Sequence, residues 1–286
     1  MRGKAERGPQ ETVPRIDEAR LAEFRDLVME HYRRAGRSFP WRDTRDPWSI
    51  LVSEVMLQQT QTIRVVPKYE EWTRRWKGPA ELAAAPLAEV LGLWSGLGYN
   101  RRALALVRAA GAVVRDHGGI LPQDEASLLE LPGVGSYTAR AVLAFAFDRP
   151  VVFVETNIRA AFIHHFFGAM ERVPDSLILP LVEGSLDRDD PRIWYYALMD
   201  YGAELKRTAG NASRRSAHYA KQSPFQDSHR RVRGAVLKAL ASGGEIGREE
   251  LAASLPFARE RVERAAAELV AEGFAEYRGE ALRIRR

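Results

Sequence analysis

Two glutamates of this 286-residue chain stand in surroundings that could support acid-base chemistry. Glu54 lies within the apolar run 50–57, where loss of water favours the neutral carboxylic acid and so suits a proton donor. Glu155 follows the apolar run 151–154 and would supply a carboxylate able to stabilise a developing positive charge. Together they could serve as a general acid and an electrostatic stabiliser.

A glycine-rich turn, Leu131-Pro132-Gly133-Val134-Gly135, precedes Glu155 by about twenty residues. Its composition predicts a tight hairpin between two helices. Backbone amides at the start of the second helix would face a phosphate. Glycines at 133 and 135 would shape the turn and let these amides approach the ligand.

Helices are the elements predicted to carry these residues. From Asp17 onward, Leu21, Phe24 and Val28 recur at helical spacing. Gly and Pro breaks separate the further predicted helices, which are 48–59, 62–76, 79–84, 87–93, 100–116, 125–130 and 136–147. No alternating strand pattern precedes about residue 270, so we expect an all-α core.

The two ends of the chain differ from this core. Residues 1–16 are polar and contain Pro and Gly, which predicts a flexible leader. At the other end, helices at 230–242, 247–255 and 258–273 precede a hairpin around Gly279. Residues 229–286 therefore predict a winged-helix-like domain, with a small helical packing domain as the alternative.

The charge of the chain suits a polyanionic partner. The net charge is +5 and the isoelectric point is about 9.5. Residues 206–238 hold nine Lys or Arg and one acidic residue, Asp227. This excess of positive charge predicts phosphate contacts for a basic segment at 206–228 and for the start of the helix that follows it. A solvated basic loop is the alternative. The candidates for DNA binding are Arg214, Arg215, Arg230 and Arg231.

Other composition features narrow the class of protein. No cysteine is present, which excludes disulfides and cysteine-ligated iron-sulfur clusters. His164, His165 and His218 lack the spacing of metal ligands, so no metal is expected. Because no apolar stretch is long enough to span a membrane or to act as a signal peptide, we expect a cytoplasmic protein. A nucleoid-associated location and a monomeric state are separate expectations.

Residues 131–139, Leu-Pro-Gly-Val-Gly-Ser-Tyr-Thr-Ala, resemble the helix-hairpin-helix signature of the HhH-GPD DNA glycosylase superfamily, which includes endonuclease III and the MutY adenine glycosylases. Pro40-Trp41-Arg42, Ser-Glu-Val-Met-Leu-Gln-Gln-Thr-Gln at 53–61 and Trp-Ser-Gly-Leu-Gly-Tyr at 94–99 follow the MutY pattern more closely than that of endonuclease III. The similarity spans about residues 18–205. It implies a two-lobed core at 17–205, with lobes at 50–154 and at 17–49 plus 155–205.

The resemblance implies a base-excision-repair enzyme that binds double-stranded DNA with a mismatched or damaged pair, flips a base out and hydrolyses its N-glycosidic bond. Glu54 matches the glutamate that protonates adenine N7 in MutY, so adenine opposite guanine or 8-oxoguanine is the expected target. A buried carboxylate paired with Arg is the alternative for Glu54. Glu155 stands where the family has Asp, and capping of the following helix is its alternative.

Other residues take their expected roles from the same resemblance. Tyr137 occupies the position of the lyase lysine of endonuclease III. Because a phenol cannot form a Schiff base, the resemblance implies a monofunctional enzyme. Tyr137 would stack under the flipped nucleotide, or pack in the core. Gln59 and Tyr99 match residues that insert into the duplex, or are a surface amide and a loop aromatic. Gly133, Val134 and Gly135 would bind phosphate, with a monovalent cation at the hairpin carbonyls.

The chain also departs from the family. The basic segment 206–228 stands where relatives carry their [4Fe–4S] cluster, and we expect residues 211–225 to pack on the core and present charge to DNA. No Nudix-type C-terminal domain is recognisable. Since Tyr at position 137 also occurs in thymine-mismatch glycosylases, a thymine/uracil mismatch glycosylase is an alternative, as is a non-catalytic, structure-specific DNA-binding protein.

Overall fold

A computed structural model of the chain describes residues 17–221 and 228–285. The predicted leader and residues 222–227 of the basic segment lie outside this part. In the described part, helices are α1 (Glu18–Ala35), α2 (Pro47–Leu57), α3 (Thr62–Arg75), α4 (Pro79–Ala83), α5 (Leu87–Trp94), α6 (Arg101–His117), α7 (Glu125–Glu130), α8 (Ser136–Phe147), α9 (Thr156–Phe166), α10 (Asp175–Ser185), α11 (Pro191–Thr208), α12 (His229–Gly243), α13 (Arg248–Ser254) and α14 (Arg259–Ala271).

The helix predictions for α1 to α8 are confirmed, and the ends of α2 to α8 lie within two residues of those expected. Local signals set these ends. Asp17 caps α1 by accepting the Ala19 amide at 3.1 Å, and Asp46 caps α2 by accepting the Ser49 amide at 2.8 Å. Such caps satisfy amides that have no partner within the helix. None of the described helices is both long and apolar enough to cross a membrane.

The described residues fall into two compact units. One combines the chain up to Arg37 with Asp148–Ala220, and the other combines Ser38–Phe147 with the chain from Lys221 onward. Residues 38–49 thus join the unit that carries Glu54, whereas the sequence placed them with the N-terminal helix. The reason is packing: Trp41, in a 3-10 helix over Pro40–Arg42, lies edge-on to Tyr69 of α3, with ring centroids 5.5 Å apart.

The first unit packs α1, α9, α10 and α11 around aromatic side chains. Phe24 of α1 lies 5.0 Å from Phe162 of α9, centroid to centroid. Helix α11 crosses α9 at Gly202, where an added Cβ would lie 2.0 Å from the carbonyl oxygen of Asn157. Only glycine allows this close approach, which brings the end of α11 beside the start of α9.

The second unit contains α2 to α8 and the C-terminal elements. Helix α2 is buried on nearly every side and packs against α8. The three C-terminal helices and the hairpin are confirmed, and strands β1 (Ile246–Gly247), β2 (Ala275–Arg278) and β3 (Ala281–Ile284) form an antiparallel sheet in the order β1-β3-β2. Strand β1, before residue 270, was not predicted; it is two residues long. Helix α12 packs against α5, so these elements share a core with the preceding helices.

Candidate active site and nucleic-acid interface

Glu54 is a buried carboxyl group on α2, and its side chain is paired with Tyr137. The residue is 6% exposed among the apolar side chains of α2. Tyr137, in the first turn of α8, donates a hydrogen bond from its hydroxyl to Glu54 Oε2 at 2.8 Å. Gln58 Nε2 also donates to Thr138 Oγ1 at 3.2 Å, which joins the end of α2 to the same turn of α8. Tyr137 therefore fixes the orientation of the Glu54 carboxyl group, a role that the sequence did not predict.

The hairpin at 131–135 uses its two glycines differently. Gly133 has φ +81°, and a Cβ there would lie 2.7 Å from Ala105 Cβ, so both conformation and space require glycine. At Gly135, an added Cβ would meet no described atom within 4 Å. Gly135 therefore leaves room in front of the first turn of α8, where amides lack partners within the helix. The expected cation at this hairpin stays a prediction.

Val134 helps to close the hairpin. Its side chain is buried, and its backbone N–H donates to the Leu131 carbonyl at 3.1 Å. That bond closes the turn. Its one backbone donor therefore holds the hairpin together, and the expected contact of Val134 with DNA stays a prediction.

Glu155, in the other unit, caps α9. Its Oε1 accepts the amides of Asn157 at 2.6 Å and Ile158 at 2.9 Å. Burial raises the pKa of Glu155, while these two amides, Lys206 and Arg159 oppose the shift. The capping alternative from the sequence is thus what the structure shows, and it leaves the second carboxyl oxygen for further contacts.

Lys206 supports this carboxylate and was missed by sequence reasoning as a site residue. Its Nζ donates to Asn157 Oδ1 at 2.7 Å, and Asn157 Nδ2 donates to Glu155 Oε2 at 3.3 Å. Burial lowers the pKa of Lys206, and the Glu155 charge acts in the opposite direction. The spacing of Lys206 could have indicated this role. It lies four residues after Gly202 and so shares the buried face of α11 with that glycine.

Gln59 and Tyr99, the expected duplex-inserting residues, share an unusual backbone. Gln59 has φ 54° and Tyr99 has φ 49°, in the left-handed region that non-glycine residues seldom adopt. Both line one cavity of about 490 Å³. Residues held in such conformations cost about 1–3 kcal/mol and persist where surrounding contacts enforce them.

Arg102 supplies the enforcing contacts. Its guanidinium donates to carbonyls of both loops, at 2.6 Å to Gln58 and at 2.9 Å to Gly98. It also donates to Val55, Met56 and Leu97 carbonyls and to Thr60 Oγ1. Burial lowers the pKa of Arg102 to about 10, which keeps it charged near neutrality. No local sequence signal marks Arg102, because its partners come from two loops far apart in the chain.

The four arginines predicted to bind DNA have different surroundings. Arg215 donates to the carbonyls of Ile163 at 3.2 Å, Met170 at 3.3 Å and Gly168, so it closes the end of α9, and its expected contact with DNA stays a prediction. Arg214, in the same 3-10 helix (Ala212–Arg215), is exposed. Arg230 donates to the Tyr99 hydroxyl at 2.5 Å, and Arg231 lies over the Phe257 ring at 5.4 Å.

The 3-10 helix of the basic segment packs on α9, and the residues around it bond to the loop that follows α9. Val173 and Ser216 form a parallel bridge, and the Val173 amide donates to the Arg215 carbonyl at 2.8 Å. Among the residues that the structure describes, no group of three or more His, Cys, Asp or Glu side chains is placed to hold a metal ion. His165 instead shares a hydrogen bond of 2.7 Å with the Tyr201 hydroxyl, and burial lowers the pKa of His165 to about 4.

The model of the "HhH-GPD superfamily base excision DNA repair protein" family matches residues 52–175. The adenine DNA glycosylase of Mycobacterium tuberculosis is 50% identical over 133 residues, which cover 46% of this chain and 44% of that protein. The chain therefore spans less than half the length of this relative. The thymine/uracil-DNA glycosylase of Methanothermobacter thermautotrophicus is 31% identical over 187 residues, covering 63% of this chain and 83% of that protein.

A solved structure described as a thermostable thymine-DNA glycosylase has the same fold. It superposes with a TM-score of 0.59 at 28% sequence identity, over 65% of this chain and 87% of that one. The matched family region begins within α2 and ends at the first residue of α10. It thus includes the acid candidate Glu54, the hairpin and the carboxylate candidate Glu155.

Proposed function

This chain belongs to the HhH-GPD superfamily of base excision DNA repair proteins, and on that premise we propose that it is a monofunctional DNA glycosylase that removes adenine mispaired with guanine or 8-oxoguanine. The observation that carries the proposal is the buried Glu54 with the Tyr137 hydroxyl on its Oε2. A carboxyl group in this setting is suited to protonating a purine. The similarity of this chain to the adenine DNA glycosylase of Mycobacterium tuberculosis supports the same target base.

The acid step follows from the Glu54 contacts. Tyr137 orients the Glu54 carboxyl group through Oε2, and this group passes its proton to adenine N7. The C1′–N9 bond then breaks, its electron pair leaves with the base, and positive charge develops on the sugar. The sugar cation is captured by water, whose proton returns to a carboxylate.

Glu155 is the carboxylate proposed to stabilise that cation. Its Oε1 is held by two amides at the start of α9, so the group is oriented before substrate binds. Lys206 and Asn157 add positive charge and a donor that favour the anion against the effect of burial. A cationic sugar would favour the anion further.

DNA binding would draw on the hairpin and the basic side chains. Amides of the first turn of α8 behind Gly135 are suited to a backbone phosphate. Gln59 and Tyr99, on strained and exposed loops, are suited to filling the space that a flipped base leaves in the stack. The exposed side chains of Arg214 and Arg231 would add phosphate contacts.

A second candidate is removal of thymine or uracil opposite guanine. The similarity to the Methanothermobacter thymine/uracil-DNA glycosylase, of which 83% is covered, favours it. Glu54 argues for a purine, because a pyrimidine has no N7 to protonate. A non-catalytic DNA-binding protein would need neither carboxylate.

One assay separates these candidates. Labelled duplexes with adenine opposite 8-oxoguanine, adenine opposite guanine, thymine opposite guanine and uracil opposite guanine are incubated with the protein and split with alkali. Cleavage of the adenine duplexes alone, abolished by Glu54→Gln, supports the proposal. Cleavage of only the pyrimidine duplexes establishes the second candidate, and binding without cleavage the third. Strand breaks without alkali would refute the monofunctional assignment.

A further inference from the structure

The arginines at the two ends of α14 are paired with carboxylates of the C-terminal elements. Arg259 pairs with Glu263 at 2.7 Å and with Glu249 of α13 at 3.1 Å, and Arg264 pairs with Glu268 at 3.2 Å. In a helix-turn-helix, the helix in the position of α14 normally enters the major groove of DNA. Because these cations already contact carboxylates, this face of α14 is poorly suited to a polyanion.

Two exposed arginines converge instead at the turn that follows α14. A Cβ at Gly273, which has φ +86°, would lie 3.1 Å from Arg108 Nη2 and 3.6 Å from Arg285 Nη1. Arg108 donates to the Glu272 carbonyl at 3.2 Å, and neither guanidinium forms an ion pair within the described part of the chain. Two like charges held this close repel each other, and an anion that contacts both would relieve the repulsion.

The Glu272 carboxylate does not neutralise this arginine pair. It binds Arg101 at 2.6 Å and Arg233 at 2.7 Å. Hydrogen bonds from these two arginines lower the pKa of Glu272 to about 2, so the carboxylate is ionised at neutral pH and its charge is matched by them. Arg108 and Arg285 therefore keep their positive charges for another partner.

Helix α6 connects the arginine pair with the hairpin at 131–135. Ala105 of α6 is the residue whose Cβ an added Cβ at Gly133 would meet at 2.7 Å. Arg108 follows Ala105 by three residues, so the two share one face of α6 and lie about 4.5 Å apart along its axis. Along α6, the arginine pair thus begins within one helical turn of the place where the hairpin packs.

We propose that the duplex that the hairpin holds continues over this arginine pair, and that Arg108 and Arg285 bind its backbone phosphates. The inference rests on the DNA binding of the proposed function. The C-terminal elements then contact DNA through the turn at Gly273 and not through α14. Guanidinium groups bind phosphate oxygens by short, charge-assisted hydrogen bonds. Because phosphates are the same in every sequence, these contacts carry no preference for a base pair.

The test measures DNA binding by fluorescence anisotropy at a series of salt concentrations. One duplex is fully paired, the other carries adenine opposite 8-oxoguanine, and the Glu54→Gln background prevents removal of the base. Arg108→Met and Arg285→Met are compared with Arg259→Met, a control of equal charge change on α14. All three side chains are exposed, and thermal unfolding checks that the variants fold. Arg108→Lys keeps the charge, and a lysine can still bind a phosphate.

Each of Arg108→Met and Arg285→Met should lower the slope of log affinity against log salt concentration by about 0.9, the value of one phosphate contact. The loss of affinity should be the same on both duplexes, and it should shrink about threefold as the salt concentration rises from 50 to 200 mM. Arg259→Met and Arg108→Lys should keep the salt slope of the parent.

Unchanged salt slopes for Arg108→Met and Arg285→Met would overturn the inference. A loss confined to the mispaired duplex would also overturn it, because it would indicate contact with a base. An equal reduction of the slope by Arg259→Met would assign the DNA contact to α14, and an Arg108→Lys variant that behaves like Arg108→Met would refute the phosphate role of Arg108. If the parent with Glu54 intact excises no adenine, the proposed function fails, while these binding results still decide the inference.

Discussion

The two hairpin glycines offer a matched pair of substitutions that separates folding of the turn from its contact with DNA. Gly133→Ala must place a side chain at φ +81° and 2.7 Å from Ala105 Cβ. The left-handed conformation costs about 1–2 kcal/mol, and forcing an extra methyl group into a packed site costs about 1–3 kcal/mol. We expect the free energy of unfolding to fall by about 2–5 kcal/mol.

Gly135→Ala should behave in the opposite way. Its Cβ would meet no described atom within 4 Å, and replacing a glycine at a compatible position stabilises a protein by about 0.4–1 kcal/mol. The methyl group would instead occupy the space assigned to a phosphate. Loss of one hydrogen bond to a charged group, about 1.5–3 kcal/mol, predicts DNA binding weaker by roughly 10- to 150-fold.

Urea unfolding and fluorescence anisotropy on one duplex measure both quantities for both variants. The reasoning fails if Gly135→Ala unfolds more easily than the parent, or if it binds DNA as tightly as the parent does. It also fails if Gly133→Ala is as stable as the parent. Equal effects of the two substitutions would show that the hairpin glycines share one role.

Three further substitutions test the remaining assignments. The hydrogen bond from Tyr137 to Glu54 Oε2 favours the ionised carboxylate. Tyr137→Phe removes this bond, so the alkaline limb of the pH profile of the excision rate should move to higher pH. A tyrosine that only stacks on the nucleotide would leave the pH profile unchanged. Arg102→Lys cannot reach the carbonyls of both loops, and each buried carbonyl left without a donor costs about 1–3 kcal/mol, so urea unfolding should show lower stability and anisotropy weaker DNA binding. Glu155→Gln should abolish excision yet raise the thermal stability of the protein at pH 8. Burial raises the pKa of Glu155 above its ordinary value of 4.5, so ionising this group costs the folded state free energy at high pH. Below pH 4.5 the carboxyl group is protonated in both the folded and the unfolded state, so the stability advantage of the variant should vanish there. A stability gap that stays constant from pH 8 to pH 4 would contradict that assignment.

The sequence predicted the helices of this fold well because their signals are local. Caps such as Asp17 and Asp46 and the spacing of apolar residues act within a few positions. The apolar run around Glu54 likewise predicted its burial. The turn at Gly133 was predicted as well, because glycine is the residue that most readily adopts a left-handed backbone conformation.

Contacts between distant segments could not be predicted in this way. Tyr137 and Glu54 are 83 residues apart, and nothing near either residue indicates the other. Arg215 shows the same limit for charge: a basic run predicts a polyanion, but the Arg215 guanidinium is used on the carbonyls of Ile163 and Met170. Counting charges cannot tell a cation that closes a helix from one that faces solvent.

The basic segment 206–228 contributes a cation to each end of α9. Lys206 contacts Asn157 beside the start of the helix, and Arg215 binds carbonyls at its end. Glu155 is the cap of that same helix. A helix fixed at both ends keeps its N-terminal amides, and therefore the carboxylate they bind, in one orientation. Lys206 and Arg215 thus restrict the position of the helix that carries the Glu155 cap.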